Sequence, residues 1–127
     1  MIDNTSLIRR VIGAVTDRPI EDTGSLDVYR ASADGSDPVR LTADPSVDIA
    51  YSFSPDGHRI AFHSERDLNL EVYTMAADGS DVRRLTYGFA SDGFPSWSPD
   101  GNTIAFSSDR DGSFDIYAMA PDGSDQR

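Results

Sequence analysis

The sequence predicts an all-β protein assembled from small antiparallel sheets, and three observations carry that prediction. A 44-residue unit at 27–70 returns at 71–114 without a gap, with 22 of 44 positions identical. Turn-forming tetrapeptides fall at matched places in each copy, between short runs that alternate apolar and polar residues. No helical period competes anywhere in 27–127. A fixed period of about 40–45 residues with strand content is that of a β-propeller blade, a small sheet that cannot bury both faces alone.

The elements of one unit follow from its turns. Ser54-Pro55-Asp56-Gly57 and Ser98-Pro99-Asp100-Gly101 each separate two alternating runs. Pro sets φ at the first turn position, Asp can hydrogen-bond forward to the backbone, and Gly takes the positive φ. A hairpin therefore links 50–54 to 59–64, and 96–98 to 103–108. A looser turn follows, Glu65-Arg66-Asp67 in one copy and Asp109-Arg110-Asp111-Gly112 in the other, then a third strand at 70–75 and 114–119. Asp78-Gly79-Ser80 turns the chain into a fourth strand at 82–86. The predicted fold is thus a β-propeller of four-stranded antiparallel blades.

The first 26 residues enter the same frame with an offset of 48, aligning Ile12, Thr16, Asp17 and Arg18 with Ile60, Ser64, Glu65 and Arg66. That is one period plus four extra residues placed within 19–25, and it sets Ser6-Leu7-Ile8-Arg9 where the hairpin turn belongs. A third copy opens at Asp115-Ile116-Tyr117, with 8 of its 13 residues matching 71–83. The 127 residues hold 127/44, or about 2.9, repeats, read as one domain with blades near 1–45, 46–89 and 90–127. A closed propeller takes about four to eight blades. Three blades call for completion by a second chain, for the rest of a longer chain, or for an open arc. A head-to-tail homodimer gives 3 + 3 = 6 blades, each chain forming half of a six-bladed ring, with residues 1–10 a candidate closing strand in trans.

Composition narrows the function classes. Twenty-two acidic against 11 basic residues leave a net charge of −11, the wrong sign for phosphate backbones and anionic membrane surfaces. Much of that acidity sits in turn aspartates. With no cysteine, disulfides, thiolate metal sites and cysteine nucleophiles are all excluded. The N-terminal Met1-Ile2-Asp3-Asn4-Thr5-Ser6 shows neither a basic region nor a long apolar stretch, so neither a signal peptide nor membrane insertion is expected of this chain.

Residues 92–112, which include Pro95, Trp97, Ser98, Arg110 and Asp111, together with the Ile-Tyr-x-Met, Asp-Gly-Ser and Arg-Leu-Thr signatures, resemble the TolB-type β-propeller repeat, a distant relative of the WD repeat. The preceding copy departs at Tyr51, Phe53 and Leu68, where that pattern has Pro, Trp and Gly. The resemblance covers 27–127 closely and 10–26 weakly. It implies a protein-docking module, six blades and a periplasmic or otherwise extracytoplasmic location. Similar repeats also form the gating propellers of prolyl-oligopeptidase-like peptidases. The matching residues build the blade, so they specify fold rather than function.

Asp48 and Asp92 recur 44 residues apart, just before the innermost strand of each blade, and are the candidate binding residues at the channel mouth. They could bind a cation or a basic segment; alternatively, each serves its own loop. Asp109, Asp111 and Asp115 have the spacing of a calcium loop, but Ala120 stands where a bidentate Glu belongs and Arg110 sits among them, so a turn is the simpler reading and no metal or other cofactor is expected. The recurrent Tyr29, Tyr73, Tyr117, Phe53, Trp97, Phe62 and Phe106 read as packing between blades. His58 and His63 do not recur in the next unit, and the serines lie in turns without a nucleophile elbow, so no catalytic residue is assigned. The expected function is a non-enzymatic module binding a protein or peptide. The alternatives are a gating propeller of a larger hydrolase and a purely structural repeat, natural or engineered.

Overall fold

The structure, a computed structural model, describes residues 5–11, 26–32, 34, 36–43 and 45–127. Among these it is all-β, with ten strands in three antiparallel sheets. The first sheet contains β1 (Thr5–Val11), β2 (Asp27–Ser32) and β3 (Val39–Arg40) in that order. The second contains β4 (Asp48–Phe53), β5 (Arg59–Ser64), β6 (Glu71–Ala76) and β7 (Arg83–Arg84). The third contains β8 (Asp92–Trp97), β9 (Ile104–Ser108) and β10 (Asp115–Met119). Arg127 then starts a further rung, exchanging N–H···O bonds of 2.8 and 2.9 Å with Ala118. The equivalent pairing in the second sheet is Thr74↔Arg83.

The predicted hairpin turns form as their residue types require. Ser54 Oγ donates to Asp56 Oδ1 at 2.6 Å, His58 N donates to the same oxygen at 3.0 Å, and Gly57 takes φ 76°. Ser98, Asp100, Asn102 and Gly101 repeat this geometry at 2.6 Å, 3.0 Å and φ 75°. The N-terminal register differs from expectation. Ser6–Arg9 run through β1 rather than forming a turn, and Ile8 pairs with Tyr29 as Phe62 pairs with Tyr73. The offset is therefore 62 − 8 = 54, not 48. Ser-Leu-Ile-Arg has no Pro or Gly to make a turn, so it extends and pairs. Ile12, Thr16, Asp17, Arg18 and the segment 19–25 lie outside the described residues.

The core lies between the sheets. Val28 from the first sheet packs with Ala50, Ile60, Phe62, Tyr73 and Met75 from the second. One period later Val72 and Leu85 from the second sheet pack with Ile104, Phe106 and Met119 from the third. Each cluster thus draws on two sheets, as the recurrent aromatics anticipated. Backbone bonds stitch the seams at the same places, Asp48 N to Leu26 O at 2.8 Å and Asp92 N to Leu70 O at 2.8 Å.

The Asp-Gly-Ser turns also belong to the seams. A Cβ at Gly79 would lie 2.8 Å from the Leu41 carbonyl oxygen, and one at Gly123 would lie 2.8 Å from that of Leu85, both on the preceding sheet. Both glycines also have φ near +90°, at 88° and 89°. Only Gly meets both demands. Gly79→Ala is therefore expected to lower stability by about 2 kcal/mol or more. Gly57→Ala, where no atom lies within 4 Å, tests the backbone term alone. Urea unfolding of the two variants separates clash from conformation, and equal losses would remove the steric argument.

Candidate functional site

Asp48 and Asp92 open β4 and β8 and are buried, at 0% and 1% exposure. Each meets an arginine from the turn after the second strand of its own sheet. Arg66 Nη2 lies 3.2 Å from Asp48 Oδ2, and Arg110 Nη2 lies 3.4 Å from Asp92 Oδ1. The Arg66 guanidinium rests over Phe62 and Tyr73 at 5.2 and 5.1 Å; Arg110 rests over Phe106 and Tyr117 at 5.2 and 4.6 Å. The next residue of each turn, Asp67 or Asp111, accepts the hydroxyl proton of Tyr73 or Tyr117. Burial raises the Tyr73 hydroxyl pKa above its ordinary value, and Asp67 adds to the effect. In the Asp109–Asp115 run, Arg110 turns inward onto the rings while Asp109 accepts the Ser91 N–H at 2.8 Å. That is the geometry of a tied turn.

A second polar group was not singled out in the sequence. Glu71 is fully buried, and its carboxylate accepts from Arg84 Nη2 at 2.6 Å and Thr86 Oγ1 at 2.9 Å. Thr86 Oγ1 in turn accepts the Val72 N–H at 2.9 Å. Asp27, Arg40, Thr42 and Val28 repeat the arrangement, with Arg40 Nη2 at 2.5 Å from Asp27 and Val28 N at 2.9 Å from Thr42 Oγ1. The legible signal was the acid that precedes each Arg-Leu-Thr by 13 residues. Burial pushes the Glu71 carboxyl above the ordinary glutamate range, against the pull of Thr86 and Arg84, and the nearby Asp92 carboxyl pushes the same way. Asp92 Oδ2 is buried and accepts no hydrogen bond among the described residues.

His63 is 5% exposed and sits at the seam of β5 and β8. Its Nδ1 accepts the Phe94 N–H at 3.1 Å, which leaves the ring proton on Nε2, 3.4 Å from the Tyr51 hydroxyl oxygen. Tyr51 and Phe94 flank the ring at 4.9 and 5.0 Å. A Cβ on Gly93 would meet Nδ1 at 2.8 Å, so His63 and Gly93 fit as a pair. Burial lowers the His63 pKa to about 4. By contrast, the His58 side chain is 83% exposed. The turn aspartates Asp34, Asp56, Asp78, Asp100 and Asp122 are held below their ordinary pKa by neighbouring Ser hydroxyls and backbone N–H groups. Much of the acidity is therefore turn chemistry.

Three loops meet on one face. Asn69 Nδ2 donates to Gly88 O at 3.0 Å and Ala90 O at 2.6 Å, tying 65–69 to 87–91. Ser91 and Asp109 exchange two bonds, tying 87–91 to the next turn. Leu68 and Phe89 stand fully exposed here, and Tyr87 is 69% exposed. A 330 Å³ pocket beside them is lined by Tyr87, Phe89, Ala90, Asp92, Arg110 and Gln126. Of the two expected site residues, only Asp92 reaches that pocket's lining. Leu68 and Phe89 were missed as site residues, although both depart from their repeat twins Gly112 and Pro45.

Two tests follow from these groups. His63 binds a proton near pH 6.5 when unfolded but only near pH 4 when folded, so its contribution is complete above pH 6.5 and is lost as pH falls to 4. Wild type should lose on the order of 2 kcal/mol more than His63→Gln between pH 7 and pH 4.5 in urea unfolding. Parallel curves would refute this. Arg84→Met strands the buried Glu71 carboxylate and should cost about 3–5 kcal/mol. The double variant with Glu71→Gln should recover at least half of that, as thermal melts would show.

No curated protein sequence matches the chain. The structure resembles putative TolB from Agrobacterium tumefaciens, with a TM-score of 0.72 and 30% identity over 80% of this chain and 40% of that one. TolB from Acinetobacter baumannii aligns with a TM-score of 0.70 and 22% identity, over 80% of this chain and 26% of that one. The tricorn protease aligns with a TM-score of 0.68 and 20% identity, over 100% of this chain and 12% of that one. The chain therefore spans less than half the length of each of these proteins. The family model for the TolB beta propeller domain matches residues 52–127, more than half of the sequence, and the chain belongs to that family.

Proposed function

We propose that the chain is a non-enzymatic propeller module that binds a protein or peptide through its loop face, and that its three sheets are blades of a six-bladed ring completed by a second copy. One observation carries the reading. The residues with chemical potential that recur are committed to contacts within their own sheets and turns: Asp48 and Asp92 with their arginines, Asp27 and Glu71 with theirs, and the turn aspartates with their serines. Binding at Asp48 would then pass through loop residues, since it is fully buried, whereas Asp92, though 1% exposed, reaches the lining of the loop-face pocket. The match to the TolB beta propeller family, whose resemblance implies a docking module, supports this reading.

The second copy is proposed from a comparison of equivalent faces. Val28 and Val72 are 0% exposed because the next sheet covers them, whereas their counterpart Ile116 is 74% exposed and its neighbour Phe114 is 58% exposed. A face of that kind is normally covered by another blade. The structural likeness to the tricorn protease favours the second reading, a propeller that belongs to a larger hydrolase. A Gly-x-Ser-x-Gly segment encoded in the same polypeptide would decide for it.

Light scattering on the 127-residue chain at micromolar concentration should return a dimer, and Ile116→Lys should return a monomer. A well-folded wild-type monomer would overturn the two-chain ring. Selection of random linear peptides on the folded chain should yield binders, and a hydrolytic activity retained without any peptide binder would favour the alternative.

A further inference from the structure

The loop face carries two features that blade construction does not require. Leu68 has φ 72°, in the left-handed region that an L side chain adopts at a cost of about 1 kcal/mol, and its side chain is fully exposed. Its repeat twin Gly112 makes the same turn at φ 95°. The turn bond from Leu68 N to Glu65 O, 3.0 Å, matches that from Gly112 N to Asp109 O, 2.8 Å, so the turn itself does not need leucine. Phe89 is likewise fully exposed, on a loop that Asn69 clamps through the carbonyls on either side of it. Leu68 immediately precedes the clamping residue. Two large apolar side chains are thus held out to solvent on a braced platform, one of them against its backbone preference.

Charge defines what would cover them. Among the described residues, the three arginines of this face are each paired with a buried carboxylate: Arg66 with Asp48, Arg84 with Glu71, and Arg110 with Asp92. Arg84 also lies 3.6 Å from Asp67. The remaining carboxylates of the three loops, Glu65, Asp109 and Asp111, leave the rim acidic in a chain whose net charge is −11. The 330 Å³ pocket at the foot of Phe89 has room for one side chain.

We propose that Leu68 and Phe89 form the anchor of a binding site for a peptide segment in which apolar residues alternate with lysine or arginine, the apolar side chains seated on the pair and the cations facing the acidic rim. This rests on the docking reading and names its site and ligand chemistry. The apolar anchors supply the stability of the complex, and the rim charges supply selectivity and salt dependence.

The test is a titration of the ¹⁵N-labelled chain with the peptide acetyl-Gly-Lys-Phe-Lys-Leu-Gly-amide and with its counterpart carrying Glu for each Lys. Saturable amide shifts confined to 65–70 and 86–92 are expected with the basic peptide and none with the acidic one. Leu68→Gly, Phe89→Ser and Glu65→Lys should each weaken binding roughly tenfold or more. Leu68→Gly relieves the positive φ, so this variant should melt at or above the wild-type temperature while binding less. Loss of binding therefore cannot be put down to unfolding. Shifts elsewhere, equal binding by the Leu68 and Phe89 variants, or no shifts with the basic peptide would overturn the site. Docking itself would still stand if the random-peptide selection yields binders, and would fall if it yields none.

Discussion

The burial of one sheet's face by the next is the constraint from which the rest of the structure follows. A three- or four-stranded sheet of this size has too little interior of its own to bury an aromatic ring. Phe62 and Phe106 reach 0% and 1% exposure only because Val28 and Leu41, or Val72 and Leu85, approach from the preceding sheet. Truncating either ring would cost about 3–5 kcal/mol, a large share of a small domain's stability. The dry seam in turn sets the terms for the polar groups placed in it. Carboxylates at 48, 71 and 92 can be buried only with a guanidinium or hydroxyl beside them, and each has one.

The arginines connect the two kinds of interaction. Arg66 and Arg110 each lay a flat guanidinium on two aromatic rings and point one nitrogen at a buried carboxylate. A lysine could supply the charge but not the planar stack. The same side chain therefore fixes the ring positions in the core and the path of the turn above them. Because the turn after the second strand is fixed in this way, Asn69 can meet the carbonyls of 88 and 90, and the loop face becomes a braced surface.

Departures from the repeat mark where this chain acts as an individual. His63 stands where its twin is Ser107, and Gly93 where its twin is Ile49. The two changes are complementary, since a side chain on residue 93 would strike the imidazole. Leu68 stands in for Gly112, and here no packing partner among the described residues compensates the strained backbone. A repeat protein stabilises itself through what its units share, and its specific contacts are drawn from what they do not share.

The sequence by itself determined the fold class, the strand order within a unit and the hairpin turns, because these depend on period and on local φ preferences that Pro, Asp and Gly carry with them. It also marked Asp48 and Asp92 by recurrence, but recurrence does not distinguish a carboxylate that faces a channel from one sealed into a seam. Only the tertiary structure decided that both are buried beside arginines 18 residues away, and that Asp27 and Glu71 form a second such set. The N-terminal register was likewise beyond local reading, because Ser6–Arg9 take their place from pairing with β2. The loop face was hidden for a related reason. Exposure of Leu68 and Phe89 depends on how three loops separated by some 20 residues each come together, and no alternation within any one of them records that meeting.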